Sequence, residues 1–224
     1  MKNGKKDIIF NSKLRVAVKN IVVFVSGKGS NCKNIYQQLV IERNIASLKT
    51  IISDNSKAPV LEWARNEGIP TAVVRPGDFE EELEFGKALL QYLKDVDVVV
   101  LAGYLKKIPV NVIVKFKNRI VNIHPALLPS FGGKGYYGMR VHRAVFDYGV
   151  KVSGITIHLV DSEYDHGPIL FQEAVNIEHC SSPEQIQEEV LKLEHHYYPK
   201  VIQDLLENKI EISGRRSIWK KEVM

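Results

Sequence analysis

The chain alternates short apolar blocks with segments whose apolar residues recur at helical spacing. Residues 20–25, Asn-Ile-Val-Val-Phe-Val, form an unbroken β-branched and apolar run that Gly27 and Gly29 close. A strand buried on both faces reads this way. Segment 31–43 follows with Ile35, Leu39 and Val40 on one helical face. A second run over 48–52 breaks at Ser53-Asp54-Asn55, and a helix carrying Val60, Leu61 and Ala64 stops at Gly68. Residues 71–74 predict a strand, 79–94 an amphipathic helix, and 97–103 the clearest buried strand of the chain. Helix 109–117 and strand 119–123 come next.

Beyond residue 123 the pattern changes. Residues 124–138 are rich in Pro and Gly and predict a long loop, and 140–147 predict a helix. Residues 152–160 then form an extended run with Ile155, Ile157 and Leu159 on one face, which suits an antiparallel strand with one covered side. A strand at 168–175 and a long helix from Pro183 to about Glu207 are expected to end the fold. The alternation of strand and helix through residue 123 predicts an α/β fold, a doubly wound and mostly parallel sheet. Antiparallel additions are expected in the C-terminal half. No internal repeat and no domain linker interrupts the chain, so one domain over 20–224 is expected behind a basic arm over 1–19.

Composition changes this picture little. The chain has 224 residues, 45% hydrophobic and 25% charged, with a net charge of +5. A chain this long buries roughly 70% of its unfolded surface and needs no disulfide or metal staple. The basic excess lies at the ends: Lys2, Lys5, Lys6, Lys13, Arg15 and Lys19, then Arg215, Arg216, Lys220 and Lys221. Solvated basic ends explain this better than a nucleic-acid face. Cys32 and Cys180 have no second Cys at metal-ligand spacing, so no metal is expected, and unpatterned cysteines suit a reducing compartment. No run approaches the ~18 apolar residues of a membrane span, and no secretory signal is evident. Cytoplasm is the expected location.

Three segments carry chemistry. Ser26-Gly27-Lys28-Gly29-Ser30-Asn31 joins the first strand to its helix. Its glycines let the backbone approach a ligand, and the helix start offers free N–H groups to an anion. It is neither the dinucleotide fingerprint nor a P-loop, and a plain tight turn capped by Ser30 reads the same way. Asn122-Ile123-His124-Pro125 stands just past the carboxyl end of a strand, where open α/β sheets place their sites. Asn122 and His124 point to one side of an extended segment, and an amide with an imidazole can hold an oxyanion and move a proton. Asp161-Ser162-Glu163-Tyr164-Asp165-His166-Gly167-Pro168 packs three carboxylates into five residues. Alone it reads as a solvated turn, and its spacing does not fit a calcium loop. Beside His124, a carboxylate from it would orient the ring and raise its pKa.

Together these residues resemble the folate-dependent formyltransferases, and within them the members of de novo purine synthesis. The resemblance runs from Asn20 to about Trp219. It rests on the glycine turn at 26–31, on Val99-Val100-Leu101-Ala102-Gly103-Tyr104, on Asn122-Ile123-His124-Pro125-Ala126-Leu127-Leu128-Pro129, and on 161–168. It implies transfer of the formyl group of 10-formyltetrahydrofolate, a co-substrate, to the amine of 5-phosphoribosylglycinamide without a metal. It implies Asn122, His124 and Asp165 as catalytic residues. Gly29, Ser30 and Asn31 would hold the acceptor's phosphate, and Glu194 its ribose. Leu105, Lys106, Lys107, Ile108, Asn122, Asp161, Ser162, Glu163 and Tyr164 would form the folate pocket. In the implied mechanism a protonated His124, kept charged by Asp165, stabilises the oxyanion together with Asn122. The expected partners are these small molecules alone, in a monomer or homodimer, with no nucleic acid and no membrane.

Departures from the family pattern are local. The loop after Pro129, residues 130–138, is longer than in shorter members; His166 replaces a common Gly; Leu191 stands where some members have a polar residue; Glu80-Glu81-Glu82 replaces an Arg-containing stretch. Two relatives share the core. The methionyl-tRNA enzyme adds a C-terminal RNA-binding domain, and none is expected after residue 219. The deformylase adds an N-terminal regulatory domain that nineteen residues would not hold, and it tends to have a second His at the position of Pro125. A phosphate-ligand binding module without catalysis is the alternative from another class, and the presence of Asn122, His124 and Asp165 speaks against it.

Overall fold

The computed structural model describes residues 18–220. The expected basic arm lies outside the described residues except for Val18 and Lys19, and Lys19 already opens the first strand. Strands β1 (Lys19–Phe24), β2 (Ala46–Ser53), β3 (Thr71–Val73), β4 (Val98–Leu101) and β5 (Ile120–His124) pair in parallel. Strands β6 (Val152–Leu159) and β7 (Ile169–Asn176) continue antiparallel from β5. A hairpin of β8 (Ile210–Ser213) and β9 (Arg216–Trp219) completes a nine-stranded sheet in the order β3-β2-β1-β4-β5-β6-β7-β9-β8. The expected parallel sheet with antiparallel additions is therefore the observed one.

Two-sided burial explains the apolar runs. In β1, Ile21 and Val23 face one core and Val22 and Phe24 the other. In β4, Val98 and Val100 join the first core and Val99 and Leu101 the second. Helices α1 (Ser30–Ile35), α2 (Pro59–Asn66), α5 (Met139–Tyr148) and α6 (Pro183–Leu206) supply buried side chains to the first core. Helices α3 (Glu82–Tyr92) and α4 (Val110–Lys115) supply the second. In β6, Ile155, Ile157 and Leu159 face the first core as expected. Strand order reverses between β1 and β4, each growing away from the other in sequence. That reversal opens a crevice at the carboxyl ends of the strands.

The structure differs from the sequence reading in three places. The helix expected over 31–43 is α-helical only to Ile35 and continues as a π-helix over Tyr36–Glu42. Helix α3 starts at Glu82 because Pro76–Asp78 forms a separate 3-10 turn and Phe79 is extended. The fold does not end with α6. Each hairpin strand has four residues, too short a run for its alternation to stand out from a polar tail.

Helix α6 carries Pro199 in its interior. Proline has no N–H, so the carbonyl four residues earlier, that of His195, loses its helical partner. Asn34 Nδ2 (2.7 Å) and Gln38 Nε2 (3.1 Å) donate to that carbonyl instead. The π-helical stretch is thus tied to α6, and the tie brings Asn31 next to Glu194. One residue before the proline, the fully buried Tyr198 places its hydroxyl 2.9 Å from the Leu101 carbonyl and 3.0 Å from that of Val121. It bridges the ends of β4 and β5 directly beneath Asn122. Tyr198→Phe removes the donor that the two carbonyls share, a loss of about 0.5–1.5 kcal/mol. Urea unfolding should show that loss with no change in the slope against denaturant. An unaltered midpoint would show that the hydroxyl holds nothing.

Candidate active site

Asn122 and His124 stand on β5 and point to one side, as alternation requires. Antiparallel pairing sets His158 of β6 directly across from Asn122. The Asn122 amide Nδ2 donates to His158 Nε2 at 3.1 Å, and His158 Nδ1 donates to the Leu159 carbonyl at 2.8 Å. The carbonyl accepts only, so the neutral His158 ring carries its proton on Nδ1. His158 was absent from the sequence reading. Its signal was the polar break it makes between Ile157 and Leu159, which becomes informative once β6 is known to lie beside β5.

Asp165 enters from the loop between β6 and β7. Its backbone is left-handed, with φ 52°, a conformation uncommon outside glycine. Its Oδ2 lies 3.4 Å from His124 Nδ1 and its Oδ1 3.6 Å from His158 Nε2. Oδ2 also accepts from the Gly133 N–H at 2.9 Å. The other edge of His124 is held by the long loop: Nε2 donates to the Phe131 carbonyl at 2.8 Å. The structure therefore gathers Asn122, His124 and Asp165 at one point, with His158 as a fourth member.

Burial decides the charges. For Asp165, desolvation works to raise the pKa, but His158, His124 and the Gly133 N–H together outweigh it and hold the carboxyl below its ordinary value. For His124, desolvation dominates and pushes the imidazole below its ordinary value; Asp165 and the Phe131 carbonyl offset only part of that, and His158 adds to the fall. Burial thus works against the expectation that Asp165 keeps His124 charged in the resting site. The resting ring is neutral, protonated on Nε2, with the Nδ1 lone pair towards Asp165. His142 of α5 is also buried and is pushed down to about 4 by desolvation and by His124.

A cleft of about 340 Å³ opens onto this cluster. Leu105, Lys106, Lys107 and Ile108 line one wall, and Asp161, Glu163 and Tyr164 line another. Ser162, expected with them, does not line it, whereas residues 133–138 of the long loop do. Two tyrosines of that loop, Tyr136 and Tyr137, are exposed at its mouth.

Gly29, Ser30 and Asn31 lie at the end of β1, separated from β5 by β4. Gly29 has φ 71°, and a Cβ there would run into the Val60 side chain, so both conformation and space demand glycine. Asn31 Nδ2 donates to Glu194 Oε2 at 2.8 Å, while Asn31 Oδ1 is buried without a partner. Glu194 is half-buried. Desolvation raises its carboxyl to about 7, against the lowering effect of Asn31. A link unseen in the sequence joins this turn to the cleft wall. Ser26 Oγ accepts from the Leu105 N–H at 3.0 Å and donates to Asp54 Oδ1 at 2.5 Å, and Lys106 Nζ lies 3.7 Å from Asp54 Oδ2. Among the described residues, no group of three or more His, Cys, Asp or Glu is arranged to hold a metal ion. No helix among them is long and apolar enough to cross a membrane.

These features have counterparts in known proteins. Residues 19–202 match the formyl transferase family. The chloroplastic phosphoribosylglycinamide formyltransferase of Arabidopsis thaliana is 41% identical over 198 residues, covering 86% of this chain and 67% of the relative. The phosphoribosylglycinamide formyltransferase of Bacillus subtilis (strain 168) is 38% identical over 191 residues, 84% of this chain and 95% of the relative. The crystal structure of glycinamide ribonucleotide transformylase 1 from Symbiobacterium toebii superposes with a TM-score of 0.84 at 34% identity, over 91% of this chain and 95% of that one. The chain belongs to the formyl transferase family.

Proposed function

We infer that this chain transfers the formyl group of 10-formyltetrahydrofolate to the amine of 5-phosphoribosylglycinamide, a step of purine synthesis. The observation that carries the reading is the position of Asp165, within reach of both His124 and His158 on the wall of a cleft that Asn122 also faces. Two free thiols, Cys32 and Cys180, suit a reducing compartment, and we take it to be the cytoplasm.

In this reading the folate lies along the cleft between 105–108 and 161–164, with its formyl carbon at Asn122 and His124. The acceptor's phosphate sits on Gly29, Ser30 and Asn31, with Glu194 at its ribose. This remote binding aims the amine at the formyl carbon. The amine lone pair forms the new C–N bond as the carbonyl electrons move onto oxygen. The Asn122 amide retains an N–H beyond the one given to His158, and it donates to that oxyanion. The neutral His124 takes the proton released by the amine on Nδ1. The imidazolium so formed lies 3.4 Å from the Asp165 carboxylate, which meets the new charge. The same proton then passes to the departing folate nitrogen as its bond to carbon breaks, and His124 returns to its neutral form. A resting neutral His124 is what a base requires, so its lowered pKa serves this step better than a permanently charged ring would.

The direct test supplies 10-formyltetrahydrofolate with glycinamide ribonucleotide, with initiator methionyl-tRNA, or with no acceptor. Transfer to the ribonucleotide alone is expected. Removal of the amide in Asn122→Ala should slow it by about 10²–10³. In Asp165→Asn the His124 pKa loses its largest supporting charge, so the chemical step should slow at every pH. Fast formate release without acceptor would make the chain a hydrolase instead, and full activity of Asp165→Asn would remove that carboxylate from the reaction.

Glu194 generates a separate prediction. Its folded pKa, about 7, lies above its ordinary value. Its contribution to stability is therefore fully present below the ordinary glutamate range and is lost as pH rises through about 7. Urea unfolding without ligand should show wild type losing stability relative to Glu194→Gln across that window. Parallel curves for the two proteins would contradict a desolvated carboxylate at this position.

A further inference from the structure

The hairpin β8–β9 packs Ile210 and Ile212 against the first core but joins the ladder of the sheet at one place. Among the described residues β9 pairs with β7 at a single register, Arg216 opposite Ile169. Ser217 Oγ strengthens that seat by donating to the Ile169 carbonyl at 2.8 Å. Ile169 is the first residue after the acidic loop 161–168, which carries Asp165. The hairpin is therefore anchored at the base of that loop, and Arg215, next to the anchor, reaches over it.

Arg215 makes two contacts there with one guanidinium. Its Nη2 donates to the His166 carbonyl at 2.5 Å, and its Nη1 lies 3.1 Å from His166 Nε2. On its other edge, His166 Nδ1 donates to Asp161 Oδ2 at 2.7 Å. Asp161 Oδ1 in turn accepts from the Glu163 N–H at 2.9 Å. The same Arg215 Nη1 lies 3.5 Å from His166 Nδ1, so the guanidinium packs against the imidazole while its other nitrogen holds the carbonyl. The chain of contacts runs from the hairpin through His166 to the first residue of the loop. It encloses the segment 161–166 that carries Asp165.

That segment needs holding. Asp165 is left-handed, at φ 52°, which disfavours its conformation in a free loop. Its Oδ2 must nevertheless lie 3.4 Å from His124. The base of the loop is closed by the bond from the Leu159 N–H to the Pro168 carbonyl at 2.9 Å. At Gly167 a Cβ would run into the Leu159 carbonyl, so the chain is pressed against β6 at this point. Asp165 sits between that pinned base and the Arg215–His166–Asp161 contacts. Each of these contacts alone is partly exposed and weak. Their value is geometric: a planar guanidinium bound to both the carbonyl and the ring of His166 sets the direction in which the preceding residue leaves.

We propose that Arg215 is a positioning residue which, through His166, holds the acidic loop in the shape that presents Asp165 to His124 and forms the cleft wall at Asp161, Glu163 and Tyr164. The proposal rests on the reading of the site given above. The hairpin is then a brace for the active-site loop, and residues beyond α6 contribute to the reaction without touching substrate.

The test compares Arg215→Ala, Arg215→Lys and His166→Gly with wild type in the full chain. Steady-state formyl transfer should show the KM for the folate rising and kcat falling in Arg215→Ala, each by about three- to tenfold. The KM for the ribonucleotide should hold, because Asn31 and Glu194 lie away from the brace. Arg215→Lys should recover part of the loss, since an ammonium can reach the carbonyl but cannot hold carbonyl and ring together. His166→Gly should make a subsequent Arg215→Ala cost less than it does in wild type. Amide hydrogen exchange should quicken at 163–166 in Arg215→Ala while that of α6 is unaltered. If Arg215→Ala does not fold, Arg215→Lys and His166→Gly carry the same comparisons. Wild-type kinetics together with wild-type exchange in the loop would overturn the brace, as would an equal rise in both KM values. The exchange measurement does not depend on the identity of the substrates. Quickened exchange alongside an active Asp165→Asn would therefore overturn the catalytic reading and leave the brace standing.

Discussion

The architecture hangs on the docking of α6 across the ends of β4 and β5. Tyr198 sets one hydroxyl between the Leu101 and Val121 carbonyls, and each strand then runs straight into a functional loop. Leu101 leads to Gly103 and the wall at 105–108, and Val121 is followed by Asn122. The next residue of α6, Pro199, frees the His195 carbonyl for Asn34 and Gln38. A helix-breaking residue in mid-helix therefore acts as a joint, with its orphaned acceptor satisfied by a neighbouring helix. The same joint puts Glu194 against Asn31. One turn of α6 thus ties the strand ends and the glycine turn into a single frame.

Within that frame the chemistry is a contest between burial and charge. The contacts with His158, His124 and the Gly133 N–H hold Asp165 below its ordinary value despite desolvation, whereas desolvation pushes His124 below its own. The two groups are poised in opposite directions at one boundary. A proton that arrives on His124 creates the ion pair that the resting site lacks. Such a pair costs less to form at the moment of reaction than to maintain throughout, because the carboxylate is already fixed in place.

Loops with unfavourable backbone geometry provide the second half of the site. Asp165 and Phe131 both have positive φ, 52° and 53°. Phe131 turns its carbonyl onto His124 Nε2, and Asp165 turns its carboxylate onto Nδ1. The ring is clamped from both sides by residues that a relaxed chain would hold otherwise. Strain at such positions persists only when surrounding contacts over-determine it. The Gly133 N–H, the pinned Gly167 and the His166 contacts supply that surplus.

The sequence by itself determined the layered α/β fold through β5, because strands buried on both faces leave unbroken runs such as those at 20–25 and 97–103. It also marked Asn122 and His124, since strand alternation is a local property, while the resemblance singled out Asp165 from the acidic loop and assigned Asn31 and Glu194 to the acceptor; their contact with each other came only with the structure. Only the tertiary structure disclosed His158, because cross-strand register is not written in either strand. Only it gave a role to Pro199, whose orphaned carbonyl finds donors some 160 residues away in the chain. It alone built the hairpin, whose strands are too short to announce themselves. The charge state of His124 was likewise beyond the sequence, which shows that a carboxylate is near but not how much water the fold removes. Local pattern records what each segment must bury, whereas register, desolvation and long-range partners exist only once the segments have met.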